Sequence, residues 1–327
     1  MLSLVAAAMG PEVVRSIDAI PAHVAGRFRD PAGFERSASG QYFVFDRRNQ
    51  IVYGVDARGE SAWEIVHIGN EPGRILNPFA FAVAPDGSFA VADAPNNQER
   101  IQIFTPAGFR TGGFTLPGKA RARVVLDGLV LNSIGSLQYT GTSIFLSQPD
   151  TGSLVTEYSV SGAVIRSFGE LRRTGHEDDR AVHAALNIGL PLVNPRGGFF
   201  FVFQTGEPIF RRYDAGGRLV FERRIQGREI DDFVSRLPSL WPKRDSATGE
   251  IPFLAPTIRT AAVDASGRLW TSFAEPTTYE FDADGDKIRA VQFRGAGPVS
   301  PNHMSFDDKG RMLVTPGLFV FDVQTRP

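Results

Sequence analysis

The chain has 327 residues, no cysteine, a formal net charge of −1, and 34 Gly with 22 Pro to punctuate the backbone. This excludes a disulfide-stapled miniprotein, a cysteine-based zinc site and a cysteine nucleophile, and 42% hydrophobic residues with 26 Phe exclude a disordered chain. Charge near zero lacks the general electrostatic footprint of a nucleic-acid binder, and no apolar run reaches the roughly 20 residues of a membrane-spanning helix.

Residues 1–11 are apolar and end in small residues. They read either as a signal-peptide remnant, which places the protein in the periplasm or outside the cell, or as an ordinary N-terminus, which leaves the cytoplasm open. Residues 12–20, Glu-Val-Val-Arg-Ser-Ile-Asp-Ala-Ile, then read as a strand.

From there a unit recurs. A polar turn with Gly leads into β-formers at Gly40, Gly87, Gly141, Gly197, Gly267 and Gly310. A second turn, an aromatic or Val followed by three turn residues and Gly, ends at Gly59, Gly108, Gly162, Gly217 and Gly285. The spacing predicts four-stranded antiparallel meanders, A to D, whose A–B and C–D turns need the positive φ that Gly supplies. Such units cannot bury their faces alone, so the expected fold is all-β, one six-bladed β-propeller spanning residues 1–327. The last unit stops after Phe321-Asp322, and strand 12–20 is the available donor to complete that blade and close the ring.

Pro78-Phe-Ala-Phe-Ala-Val-Ala-Pro-Asp-Gly87, with Ser88-Phe-Ala-Val-Ala-Asp93 and Arg100-Ile-Gln-Ile-Phe-Thr-Pro-Ala-Gly108 after it, resembles an NHL repeat in nearly full form. Residues 262–270 and 301–310 are looser copies. The resemblance implies the propeller fold, and for function it implies a protein-, RNA- or ligand-binding platform or, in some branches, a lyase or lactonase.

The A–B and C–D turns share one face, so the long connections gather on the other, where function is expected. Two insertions stand out there. Residues 169–183, between blades three and four, hold His176-Glu-Asp-Asp-Arg-Ala-Val-His183, read as a solvated loop leading into a short helix toward Leu186 rather than a metal site. Residues 227–257, between blades four and five, place Ile230, Phe233, Val234 and Leu237 at helical spacing, either as filler on the rim or as a cap presenting Trp241 to a ligand. Asp282-Ala-Asp-Gly-Asp286 has its Gly too early for a calcium loop and is a C–D turn.

The A strands should line the channel. Counted from the A–B glycines, their starts are small or apolar in blades one to four but bring Arg259, Asn302 and His303 to the mouth in blades five and six. Glu35 breaks a row of small residues and needs a partner, for which the adjacent Arg36 is a candidate. Glu35, Arg36, Arg259, Asn302, His303 and Trp241 are thus the candidate ligand-binding set. Pro301-Asn302 with Glu35 also resembles gluconolactonase-type propellers, which implies a divalent metal held by Glu, Asn and Asp; here no Asp lies near an A-strand start, and Asn132 and Asn187 are the available amides. The skew to 31 arginines over four lysines reflects a GC-rich genome, whereas a modest surplus of basic over acidic loop residues in blades one to three favours an acidic partner.

The expected function is a noncatalytic platform that binds a protein or small ligand on the loop face and needs no cofactor. The alternative is a metal-dependent hydrolase or lactonase, or a lyase, with its site at the channel mouth.

Overall fold

A computed structural model describes residues 10–117, 137–238 and 256–324, with two short strands, Val125–Leu126 and Leu129–Val130, between the first two spans. The regular structure of the described residues is almost entirely β-strand. Four separate antiparallel meanders follow in order. The first comprises Pro31–Arg36, Tyr42–Asp46, Ile51–Val55 and Ala62–Val66; the second, Ala80–Val83, Phe89–Asp93, Arg100–Phe104 and Arg110–Thr115. The third runs from Leu137–Tyr139 through Ser143–Ser147 and Val155–Ser159 to Val164–Phe168, and the fourth comprises Gly189–Val193, Phe199–Phe203, Ile209–Tyr213 and Leu219–Arg224.

The remaining strands form one nine-stranded mixed sheet. Its first part is a meander of Ile258–Val263, Leu269–Phe273, Thr278–Phe281 and Lys287–Arg294. Its second part pairs His303–Phe306, Met312–Thr315 and Phe319–Phe321 with the N-terminal strand Glu12–Ala19, and the short ninth strand Pro298–Val299 pairs with Lys287–Arg294. Ser16 to Ala19 run antiparallel to Phe319–Phe321, the pairing expected of strand 12–20. Glu12 to Arg15 also run parallel to Val291–Arg294, which the sequence reading did not anticipate. One strand therefore welds the two halves of the sheet.

All eleven turn glycines picked from the sequence have positive φ, Gly87 for example at 84°. There a Cβ would also meet Pro106 and Ser37 at 3.1 and 3.2 Å, so conformation and space both favour Gly.

The first strands of successive sheets touch in cyclic order, from Pro31–Arg36 through Ala80–Val83, Leu137–Tyr139, Gly189–Val193, Ile258–Val263 and His303–Phe306 back to Pro31–Arg36. Apolar clusters fill each gap between neighbours. Phe43, Phe45 and Phe81, Phe89, Phe104 join the first two sheets, with Phe45 and Phe81 stacked at 5.5 Å; Phe34 and Tyr42 meet Leu313, Leu318 and Val320 where the last strands meet the first sheet. Each fully buried Phe contributes roughly 1.5–3 kcal/mol. The core is thus a series of seams, and it fixes the innermost strands that carry the candidate site.

Among the described residues three short α-helices decorate the strands. α1 (Ala22–Ala25) follows the N-terminal strand. α2 (Arg180–Leu186) begins at Asp179, whose Oδ1 accepts from Ala181 N and Val182 N, and ends as expected at Leu186. α3 (Arg228–Ser235) buries Ile230 between the fourth sheet and the meander after it, while Glu229 Oε2 accepts from Tyr279 Oη at 2.6 Å. Of the two readings of insertion 227–257, α3 fits rim packing; Trp241 lies outside the described residues.

Candidate functional site

The innermost strand of a sheet has an edge whose backbone groups lack ladder partners, and burial obliges something else to satisfy them. Side chains of the adjacent sheet do this here. Phe34 N donates to His303 Nδ1 at 3.4 Å, Phe34 O accepts from Ser305 Oγ at 2.8 Å, and Val83 N donates to Glu35 Oε2 at 3.1 Å. His303 and Glu35 thereby link three consecutive innermost strands. His303 Nε2 stands 3.9 Å from Glu35 Oε1.

Their environment sets their charge. Burial pushes the Glu35 carboxyl up to about 8, only partly offset by the Val83 N–H bond. Burial likewise pushes His303 down to about 4. At neutral pH the pair is a carboxylic acid facing a neutral imidazole, not an ion pair.

Arg36 does not partner Glu35. Its side chain turns toward the A–B end of the last strands, where Nη1 lies 3.0 Å from Asp308 Oδ1 and 3.5 Å from Asp307 Oδ2, and it packs over Tyr42. Neighbours on a strand face opposite ways, so sequence adjacency misled.

Arg259 and Asn302 do come together. Arg259 Nε and Nη2 both donate to Asn302 Oδ1, at 3.0 and 2.7 Å, and Asn302 N donates to Thr315 O at 2.8 Å. Both residues line a cleft of about 500 Å³ bounded by 296–300 and by Pro316, Gly317 and Phe319. Gly295 and Gly317 allow the Phe319 ring to form its wall, since a Cβ on either would lie within 2.3 Å of that ring. The cleft places a guanidinium beside an aromatic surface at the loop face, a combination suited to an anionic group.

The metal expectation does not fit these donors. Asn302 Oδ1 is taken by a guanidinium, which would repel a cation, and Glu35 is a neutral acid bonded to Val83 N. Asn187 is also unsuited: Oδ1 accepts from Arg172 N while Nδ2 donates to Arg172 O and His183 O, tying down the 169–187 loop. Asn132 lies outside the described residues. Among those residues no group of three His, Asp or Glu is arranged to hold an ion. His183 Nδ1 instead meets Thr174 Oγ1 at 2.7 Å, and Asp282 closes its own turn through Asp284 N and Asp286 N.

Several arginines are engaged within the fold. Arg47 pairs with Asp30, and Arg100 grips buried Asp93 and the carbonyls of Asn70 and Arg74. Other arginines reach the next sheet: Arg166 to Ala215 O, Arg223 to Asp284 O and Arg289 to Val323 O. Arg172 donates to the carbonyls of Leu186, Thr205 and Glu207 above Phe203. These four guanidiniums cap carbonyls across seams; they lie outside the basic loops of blades one to three, of which Arg47 and Arg100 are engaged within the fold. Lys119, Arg121 and Arg123 fall outside the described residues.

No model of a known protein family and no curated protein matches the chain by sequence. Solved structures do match its fold. A streptogramin B lyase superposes with TM-score 0.53 at 12% identity, covering 89% of this chain and 92% of that one. A catalytically inactive virginiamycin B lyase from Staphylococcus aureus, solved with quinupristin, gives 0.51 at 11% identity over 89% and 84%. Hydrazine synthase of Kuenenia stuttgartiensis gives 0.50 at 13% identity over 89% and 93%. At these identities the likeness carries the fold alone, and that fold is a β-propeller.

Proposed function

We propose that the chain is a noncatalytic, NHL-like propeller of six blades, from a bacterium and exported to the periplasm or beyond, which binds a partner or small ligand carrying an anionic group on its long-loop face. The cyclic contacts of the first strands and the two recurring glycine turns support the six-blade reading, with the N-terminal strand completing the last blade. The apolar stretch 1–11 supports export.

The observation that carries the binding reading is the cleft in which Asn302 holds the Arg259 guanidinium beside Phe319. A thermal-shift screen of small carboxylates and phosphates tests it. A ligand of this class should raise the melting temperature of the wild type and not of Arg259→Ala; if every such shift persists in the variant, the cleft is not the site.

The second reading is a lyase acting at the innermost strands, favoured by the buried acid and imidazole of Glu35 and His303 and by the likeness to two lyases. Incubation with quinupristin, followed by mass spectrometry, tests one substrate. Depletion that His303→Ala abolishes would replace the noncatalytic reading.

A further inference from the structure

Two hydrogen-bonding atoms remain at the seam between the innermost strands. His303 uses Nδ1 as an acceptor for Phe34 N–H, so a neutral imidazole carries its hydrogen on Nε2. Glu35 uses Oε2 as an acceptor for Val83 N–H, so a proton on the carboxyl sits on Oε1. Nε2 and Oε1 therefore both carry donors, and they stand 3.9 Å apart.

The gap is 3.9 Å, too long for a direct hydrogen bond between them. A third atom can stand about 2.8–3.0 Å from both, which is ordinary hydrogen-bond length. Among the described residues neither Nε2 nor Oε1 makes another hydrogen bond; those of the two side chains run through Nδ1 and Oε2. The side chains retain 9% and 15% of their surface, so the pair is not sealed from solvent.

We propose that Glu35 and His303 form a twin-donor site for the carbonyl oxygen of an uncharged ligand, an amide or ester, seated against the innermost strands. Two neutral donors suit a neutral acceptor; a carboxylate would have to give up its hydration in a largely buried place with no cation turned toward it. The charged groups on surrounding elements are engaged elsewhere. Arg36 and Arg311 pair with Asp307, Arg259 is held by Asn302, and Ala80–Val83 carries no charge. Burial keeps both donors in place at neutral pH, since Glu35 holds its proton to about pH 8 and His303 stays neutral down to about 4. This site is distinct from the Arg259 cleft and does not depend on it.

Glutamine at position 35 reproduces the protonated acid, with one oxygen to accept from Val83 N–H and one amide hydrogen to donate. The test uses the full chain labelled with ¹⁵N, the imidazole resonances of His303 assigned by their loss in His303→Gln, and N-methylacetamide as probe. The expected result is a saturable shift of the His303 Nε2 resonance, with wild-type affinity about tenfold lower at pH 9 than at pH 7 or below and about halved at pH 8, as Glu35 ionises. Glu35→Gln should bind with the same affinity throughout, and Glu35→Ala should lose tenfold or more. The proposal is overturned if no saturable shift appears at His303, which would leave only a bridging water there. It is also overturned if Glu35→Gln binds no better than Glu35→Ala, or if acetate shifts the resonance and the amide does not.

Discussion

Replacing Glu35 by Gln should change how stability depends on pH, with a sign and size that follow from the buried pair. The folded chain raises Glu35 from 4.5 to about 8, so between those values the folded state holds a proton that the unfolded state has released. Stability from this group is greatest below pH 4.5 and falls as pH rises to about 8. His303 acts oppositely: lowered from 6.5 to about 4, it makes the folded state more stable as pH rises from about 4 to 6.5. The two slopes cancel between about 4.5 and 6.5, and above 6.5 Glu35 acts alone. At about 1.4 kcal/mol per pH unit, the wild type should lose about 2 kcal/mol between pH 6.5 and 8 relative to Glu35→Gln. For a chain of this size that is a melting difference of about 4 °C, at roughly 2 °C per kcal/mol. Melting both proteins by circular dichroism across pH 6–9 measures it. Curves that stay parallel across this range would show that Glu35 is ionised in the fold, and the neutral-acid reasoning would fail.

Removing residues 1–19 should open two backbone ladders at once, against Phe319–Phe321 and against Val291–Arg294, and lower stability by several kcal/mol at roughly 1 kcal/mol per lost hydrogen bond. Unchanged melting after the truncation would refute the welding role of this strand. Arg289→Ala removes the cation 2.6 Å from Glu280, a carboxylate with 1% of its surface exposed, and leaves only Arg268 beside it; a loss of about 3 kcal/mol in urea denaturation is expected, and a loss below about 1 would contradict it. Arg259→Ala, by contrast, should leave the urea midpoint nearly unchanged while abolishing stabilisation by anionic ligands.

Local chemistry made much of this molecule legible from its sequence. A positive φ at a tight turn is a property of a few residues in a row, so the glycines at both turns of each unit could be read directly, and all eleven stand as expected. The same holds for α2 and for the apolar face of α3, whose periodicity lies within one segment. Pairing of the N-terminal strand with Phe319–Phe321 followed from counting strands, because an incomplete unit leaves an edge that must be covered.

What the sequence could not supply was the far partner of each polar side chain. Arg36 adjoins Glu35 in the chain, yet alternation along the strand sends it to Asp307 and Asp308, and Glu35 meets Val83 N and His303 instead. Asn187 and Asn302 looked like oxygen donors for a cation until the fold gave one to the backbone and carbonyls of the Arg172 loop and the other to a guanidinium. Of the basic loop residues of blades one to three, Arg47 and Arg100 are held inside the fold by Asp30 and Asp93. Turn and strand preferences depend on neighbours a few positions away, whereas charge state and partnership depend on burial and on groups up to some 270 positions distant. The sequence alone determined the repeating β-architecture; only the tertiary structure decided that Glu35 is an acid, His303 a neutral donor and Asn302 the holder of an arginine.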